Sequence, residues 1–132
     1  MKAKRSVSII LLAYFFCLSG IVVSHAQENK IYTTPDKQPM YPGGQAAMLK
    51  FIKENIKYPA LADTNNVTGT VTVSFIIEKT GGISGVEVAK GIGSGCDEEA
   101  MRVVRKMPKW YAGSVAGKPV RVLYKITFKF PQ

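Results

Sequence analysis

The chain has 132 residues, with 18 Lys+Arg against 9 Asp+Glu and a formal net charge of +9, yet only one His and two Cys. The length holds one domain plus a short appendage, and a 46% hydrophobic content argues against wholesale disorder. The scarcity of His and Cys argues against a His-rich zinc site or a disulfide-dense scaffold, while the basic excess speaks of an acidic partner, a membrane surface or nucleic acid and says nothing about fold.

Lys2, Lys4 and Arg5 precede an apolar stretch from Val7 to Val23, and Ser24-His25-Ala26 follows it. That order reads as a secretory signal over residues 1–26, cleaved after Ala26. The competing reading is an uncleaved membrane anchor over residues 7–23, at the lower length limit for a span. Phe15 and Phe16 stand before Cys17, where a lipidation site wants small residues. Under either reading the remainder is exported. Residues 27–132 keep Cys96 as their one cysteine and have no histidine, with a charge of about +6. They can form no internal disulfide and no Ser-His or Cys-His nucleophile pair.

Residues 27–40 are polar, contain two prolines and show no periodicity, which predicts a linker. Tyr41-Pro42-Gly43-Gly44 is a breaker cluster. Gln45 to Ile56 is predicted as a helix, with Met48, Leu49, Ile52 and Ile56 near one stripe. Tyr58-Pro59 ends that helix, because the residue before proline avoids the helical region. Pro59 is placed to open a second short turn. Val67 to Glu78 alternates as a strand, with Val71, Val73, Phe75 and Ile77 on one face. Lys79-Thr80-Gly81-Gly82 is a hairpin turn, and the return strand runs from about Ile83 to Lys90.

The best helix follows. Cys96, Ala100, Val103, Val104 and Met107 form one apolar face, and Pro108 ends it. Asp97, Glu98 and Glu99 at its start complement the helix dipole. Ser94 is expected as its cap, and Glu98–Arg102 as an i,i+4 pair. A loop anchored by Trp110 leads to Val120–Phe130, a strand with Val120, Val122, Tyr124, Ile126, Phe128 and Phe130 on one face. The whole predicts an α+β domain over residues 41–132: a three-stranded antiparallel sheet with two helices packed on one face. If the last strand lies beside the first, its outer edge is free.

Chemistry-bearing candidates have bland readings that fit better. Cys96 at a helix start could be an activated thiol, but it also begins the buried stripe. Asp97, Glu98 and Glu99 are consecutive, so they do not converge on one point as acid–base groups must. Trp110 fits a loop anchor better than a ligand platform. No cofactor or metal is called for, and no nucleic-acid module is visible.

Four stretches together resemble the C-terminal domain of the TonB family of energy-transducing proteins, in a short stand-alone form similar to the TonB-type proteins of the Bacteroidetes, where Tyr-Pro-Gly-Gly, here Tyr41-Pro42-Gly43-Gly44, is common before the first helix. They are Tyr58-Pro59-Ala60, Gly69-Thr70-Val71-Thr72-Val73-Ser74-Phe75, the helix beginning Asp97-Glu98-Glu99-Ala100, and Met107-Pro108-Lys109-Trp110. Gly117-Lys118-Pro119-Val120 fits as well. The resemblance implies a periplasmic, non-enzymatic module that grips the TonB box of an outer-membrane transporter by strand addition and so contributes to energised transport. It implies partner-binding roles for Asn55, Tyr58 and Pro59, and it makes Val120, Val122, Tyr124, Ile126 and Phe128 of the last strand the receiving edge. A full transducer carries Ser and His four apart in its anchor, facing an ExbB–ExbD motor. Here Ser8 and Ser19 are followed at that spacing by Leu12 and Val23. Residues 27–40 stand where a long Pro-rich linker would be. These departures point to a stand-alone adaptor or binding module, or to an accessory that works with another anchored protein, with the motor as partner only if the start is an anchor. The alternative is a dimerising structural or signalling envelope protein without a role in transport.

Overall fold

The computed structural model describes residues 29–132, so the expected signal or anchor lies outside the described residues. In chain order the elements are β1 (Ile31–Tyr32), α1 (Gly44–Asn55), α2 (Ala60–Thr64), β2 (Gly69–Ile77), β3 (Ile83–Lys90), α3 (Cys96–Arg105), β4 (Gly113–Val115) and β5 (Lys118–Phe130). The sheet order is β1-β5-β2-β3, with β4 also paired to β5. The three long strands are antiparallel, as the alternation predicts. β5 pairs with β2 without a register break, from Gly69↔Phe130 to Ile77↔Val122.

Two short strands enlarge the expected three-stranded sheet. β1 lies in the stretch read as a linker and runs parallel to β5, with Ile31 opposite Arg121 and Tyr32 opposite Val122. Beyond it, Lys37 bridges Ser114 and Met40 bridges Tyr111. β4 folds back on β5 through Ala116 (φ 51) and Gly117 (φ 76). Two central residues with positive φ make the tight turn whose twist suits a hairpin. Neither strand is long enough to reveal a period of two.

The core lies between the sheet and the helices. Val71, Val73, Phe75 and Ile77 of β2 are fully buried, and Val122, Phe128 and Phe130 of β5 nearly so. Burial of each large side chain contributes about 1.5–3 kcal/mol relative to exposure. Helix α3 adds Cys96, Ala100, Val103 and Val104, the face expected of it. Helix α1 adds Met48 and Ile52. Leu49, expected on that stripe, is 55% exposed. One residue past Met48 is about 100° further round a helix, which carries Leu49 off the buried face. Trp110 is buried, with its ring edge-on to Tyr41 at 5.5 Å and close to Tyr124 at 5.0 Å. Its indole N–H has no hydrogen-bond partner among the described residues.

The start of α3 departs from expectation in two details. Gly95, in the left-handed region, occupies the cap position, and no side chain caps the first turn. Ser94 therefore does not cap the helix. The Asp97 carboxylate reaches back to accept the N–H groups of Ile92 (2.9 Å) and Gly93 (3.2 Å), fixing the incoming loop. The expected Glu98–Arg102 pair is replaced by Glu99–Arg102, with Nε to Oε2 at 2.8 Å. The reason is lateral. Arg102 also donates to the Asn55 carbonyl at 2.7 Å and Glu99 accepts the Lys57 N–H at 2.9 Å, so both turn toward the end of α1.

Candidate functional site

β5 has two flanks with different fates. One is taken by β2 from Val122 to Phe130. The other is met by β1 only at Arg121 and Val122, after which the chain turns away. From Leu123 to Phe130 that outer flank pairs with nothing among the described residues. Alternate residues there present backbone N–H and C=O groups outward, which makes the edge a template for another strand.

The sequence-nominated side chains on β5 are not what a partner would touch first. Val120, Val122, Ile126 and Phe128 point into the core and are buried, and Tyr124 is half-buried. Their offering to a partner is the backbone. The opposite face of the strand carries the exposed Lys125, Thr127 and Lys129. Arg121 shares that face but is engaged: its Nε meets Glu78 Oε2 at 2.8 Å, and its Nη1 donates to the Asn29 carbonyl at 3.1 Å. Hydrogen bonds from Arg121 and then Ser84 hold the Glu78 carboxyl below its ordinary range. Two lysines remain along the edge, where their charge discourages indiscriminate pairing.

The sheet's other margin is β3. Its pairing with β2 shifts register between Thr72 and Val73 and again between Ser74 and Ile76. Such irregularities twist an edge away from flat pairing. β5 is the longer and more regular of the two margins.

Asn55, Tyr58 and Pro59 gather around the turn between α1 and α2. The Asn55 amide donates to the Phe51 carbonyl at 2.8 Å. The Tyr58 hydroxyl bonds to the carbonyls of Val67 and Ala62. Burial, followed by the nearby Cys96 and Asp63, raises its pKa, so the phenol stays a donor. Pro59, extended at φ −61 and ψ 142, caps α2 and sits against Gly95. Val67 leads into Gly69, the partner of Phe130, so this trio belongs to the far end of β5 from Val120 and Val122.

Other candidates fall into structural roles. Burial, with Asp97 and Glu98 adding to it, pushes the Cys96 thiol pKa up, opposite to what an activated thiol needs. Asp97 and Glu99 are engaged on different partners and do not converge. Among the described residues no helix is long and apolar enough to cross a membrane.

One feature escaped sequence reading. A pocket of about 210 Å³ is lined by Met40, Tyr41, Gln45, Met48, Trp110 and Tyr124, together with Pro39 and Gly44. Tyr41 and Trp110 were visible only as a breaker residue and a loop anchor. Their convergence depends on the Met40–Tyr111 bridge, which joins segments far apart in sequence.

A family model described as the C-terminal part of the Gram-negative bacterial TonB protein matches residues 54–131. Among solved structures the chain is similar to the NMR solution structure of the Helicobacter pylori TonB C-terminal domain, at 18% identity and a TM-score of 0.46, over 66% of this chain and 94% of that one. No curated protein matches.

Proposed function

The chain belongs to the family of Gram-negative TonB C-terminal domains, and we propose that it holds the TonB box of an outer-membrane transporter as an added strand on β5. The family is non-catalytic, periplasmic and engaged in TonB-dependent transport through outer-membrane receptors. The observation that carries the finer reading is the outer flank from Leu123 to Phe130, unpaired among the described residues. A strand laid there extends the sheet with backbone hydrogen bonds, so it tolerates many side chains but not the loss of an N–H. β1 limits the docking length, because it already occupies the flank at Arg121 and Val122. In this reading Asn55, Tyr58 and Pro59 hold the α1–α2 turn against the end of the sheet that receives the partner. The chain acts as an exported adaptor, its residues 1–26 serving as the address.

Calorimetric titration with synthetic TonB-box peptides from the same organism's transporters tests this. Binding is expected to survive most alanine replacements and to be abolished by single proline replacements within the paired stretch. Binding indifferent to proline would overturn strand addition. A stable protein dimer that excludes the peptide would favour pairing of two β5 edges instead.

A further inference from the structure

The pocket lined by Tyr41 and Trp110 takes Tyr124 from β5, the strand with the open edge, and sheet geometry relates the two. Tyr124 is its contribution from the sheet, and no residue of β2 or β3 lines it. Phe75, the neighbour of Tyr124 on the β2 side, is absent from the lining and fully buried. The pocket is therefore built against β5 and not against β2. In paired strands, residues directly opposite point to the same face of the sheet. A residue placed opposite Tyr124 by an added strand is thus aimed to the helix side, where the pocket is.

The chain provides its own precedent one step along the same flank. Tyr32 of β1 is paired with Val122 and half-buried on that face. The chain then leaves the edge, so the next position on that face, opposite Tyr124, is left to whatever continues the line of β1. The lining is three aromatic rings and two thioethers around one exposed amide, Gln45. Ring edges and methionine sulfur favour an aromatic guest.

We infer that this pocket is a specificity subsite that takes one aromatic side chain of the added strand, at the position that pairs with Tyr124. The inference rests on the strand-addition reading, and it adds a side-chain preference to a backbone interaction. It names Met40, Tyr41, Gln45, Met48 and Trp110 as determinants of which transporter segment is accepted.

Trp110 is the chain's single tryptophan and lines the pocket, so its fluorescence is a local reporter. TonB-box peptides carrying p-nitrophenylalanine at successive positions would be titrated against the full exported protein. One position, with weaker neighbours two residues away, is expected to quench Trp110. Replacing an aromatic residue there by alanine is expected to weaken binding about tenfold or more. Gln45→Phe, on the exposed side of α1, should fill the pocket and produce a similar loss for the aromatic peptide alone. Leu49→Phe, exposed on the same helix but outside the lining, should leave affinity unchanged. Amide shifts along Leu123–Phe130 without quenching at any position would overturn the subsite while strand addition stood. Absence of both quenching and amide shifts would overturn strand addition, and the subsite with it.

Discussion

The hydroxyl of Tyr58 is bonded to the carbonyl of Val67, the residue that leads the chain into β2. The N–H of Val67 in turn donates to the Ala62 carbonyl at 2.8 Å. A side chain nominated for partner contact thus closes the connection between α2 and the central strand. Tyr58→Phe keeps the ring and leaves the Val67 carbonyl without that donor. A lower midpoint in urea unfolding is expected, with peptide affinity unchanged. A fall in affinity at unchanged stability would assign the hydroxyl to the partner instead.

Glu99 links three segments by accepting from Lys57 and Arg102 while Arg102 holds the Asn55 carbonyl. The hydrogen bond from Arg102 lowers its pKa below the usual carboxylate value, with the Lys57 N–H acting the same way. A carboxyl depressed in the folded state stabilises above its unfolded pKa of about 4.3 and loses that contribution as pH falls through the folded value. Glu78, depressed by Arg121, acts in the same direction. Wild-type stability should therefore drop on acidification below about pH 4.3. Glu99→Gln should be less stable at neutral pH by about 1–2 kcal/mol, discounted for the partly exposed Arg102, and should show a flatter acid limb. Parallel pH profiles for the two proteins would contradict this role.

Gly81 has φ +86, and a Cβ there would stand 1.9 Å from the Trp110 carbonyl oxygen. The same residue accepts the Trp110 N–H at 2.9 Å, so the β2–β3 turn anchors the aromatic loop. Gly81→Ala should cost at least about 2–3 kcal/mol, because strain and clash act together. Gly117, at φ +76 with open space around it, gives the comparison. Gly117→Ala should cost only about 1–2 kcal/mol, the conformational penalty alone. Equal thermal shifts for the two variants would mean that the turn can move away from Trp110.

The long elements were legible because their periods are strong. Val71 to Ile77 and Val122 to Phe130 alternate cleanly, and the Cys96–Val104 stripe sits at helical spacing. One hairpin and one remaining strand leave the partner of β5 open, and the structure supplies the pairing with β2 and with it an outer edge. Its extent did not follow, since Ile31–Tyr32 is too short to announce a strand, yet it takes the first part of the flank. Arg121 is held by Glu78, a partner across the sheet that no local spacing encodes. The pocket was invisible for the same reason: Tyr41, Met48, Trp110 and Tyr124 come from four separate segments.

Amide hydrogen exchange with and without a TonB-box peptide, read residue by residue, tests strand addition most directly. Strand addition requires that alternate amides between Leu123 and Phe130 gain protection on binding, because only those N–H groups face the added strand. The β3 margin from Ile83 to Lys90 should exchange as before. Protection appearing along β3, or no change along β5 when the peptide is bound, would contradict it.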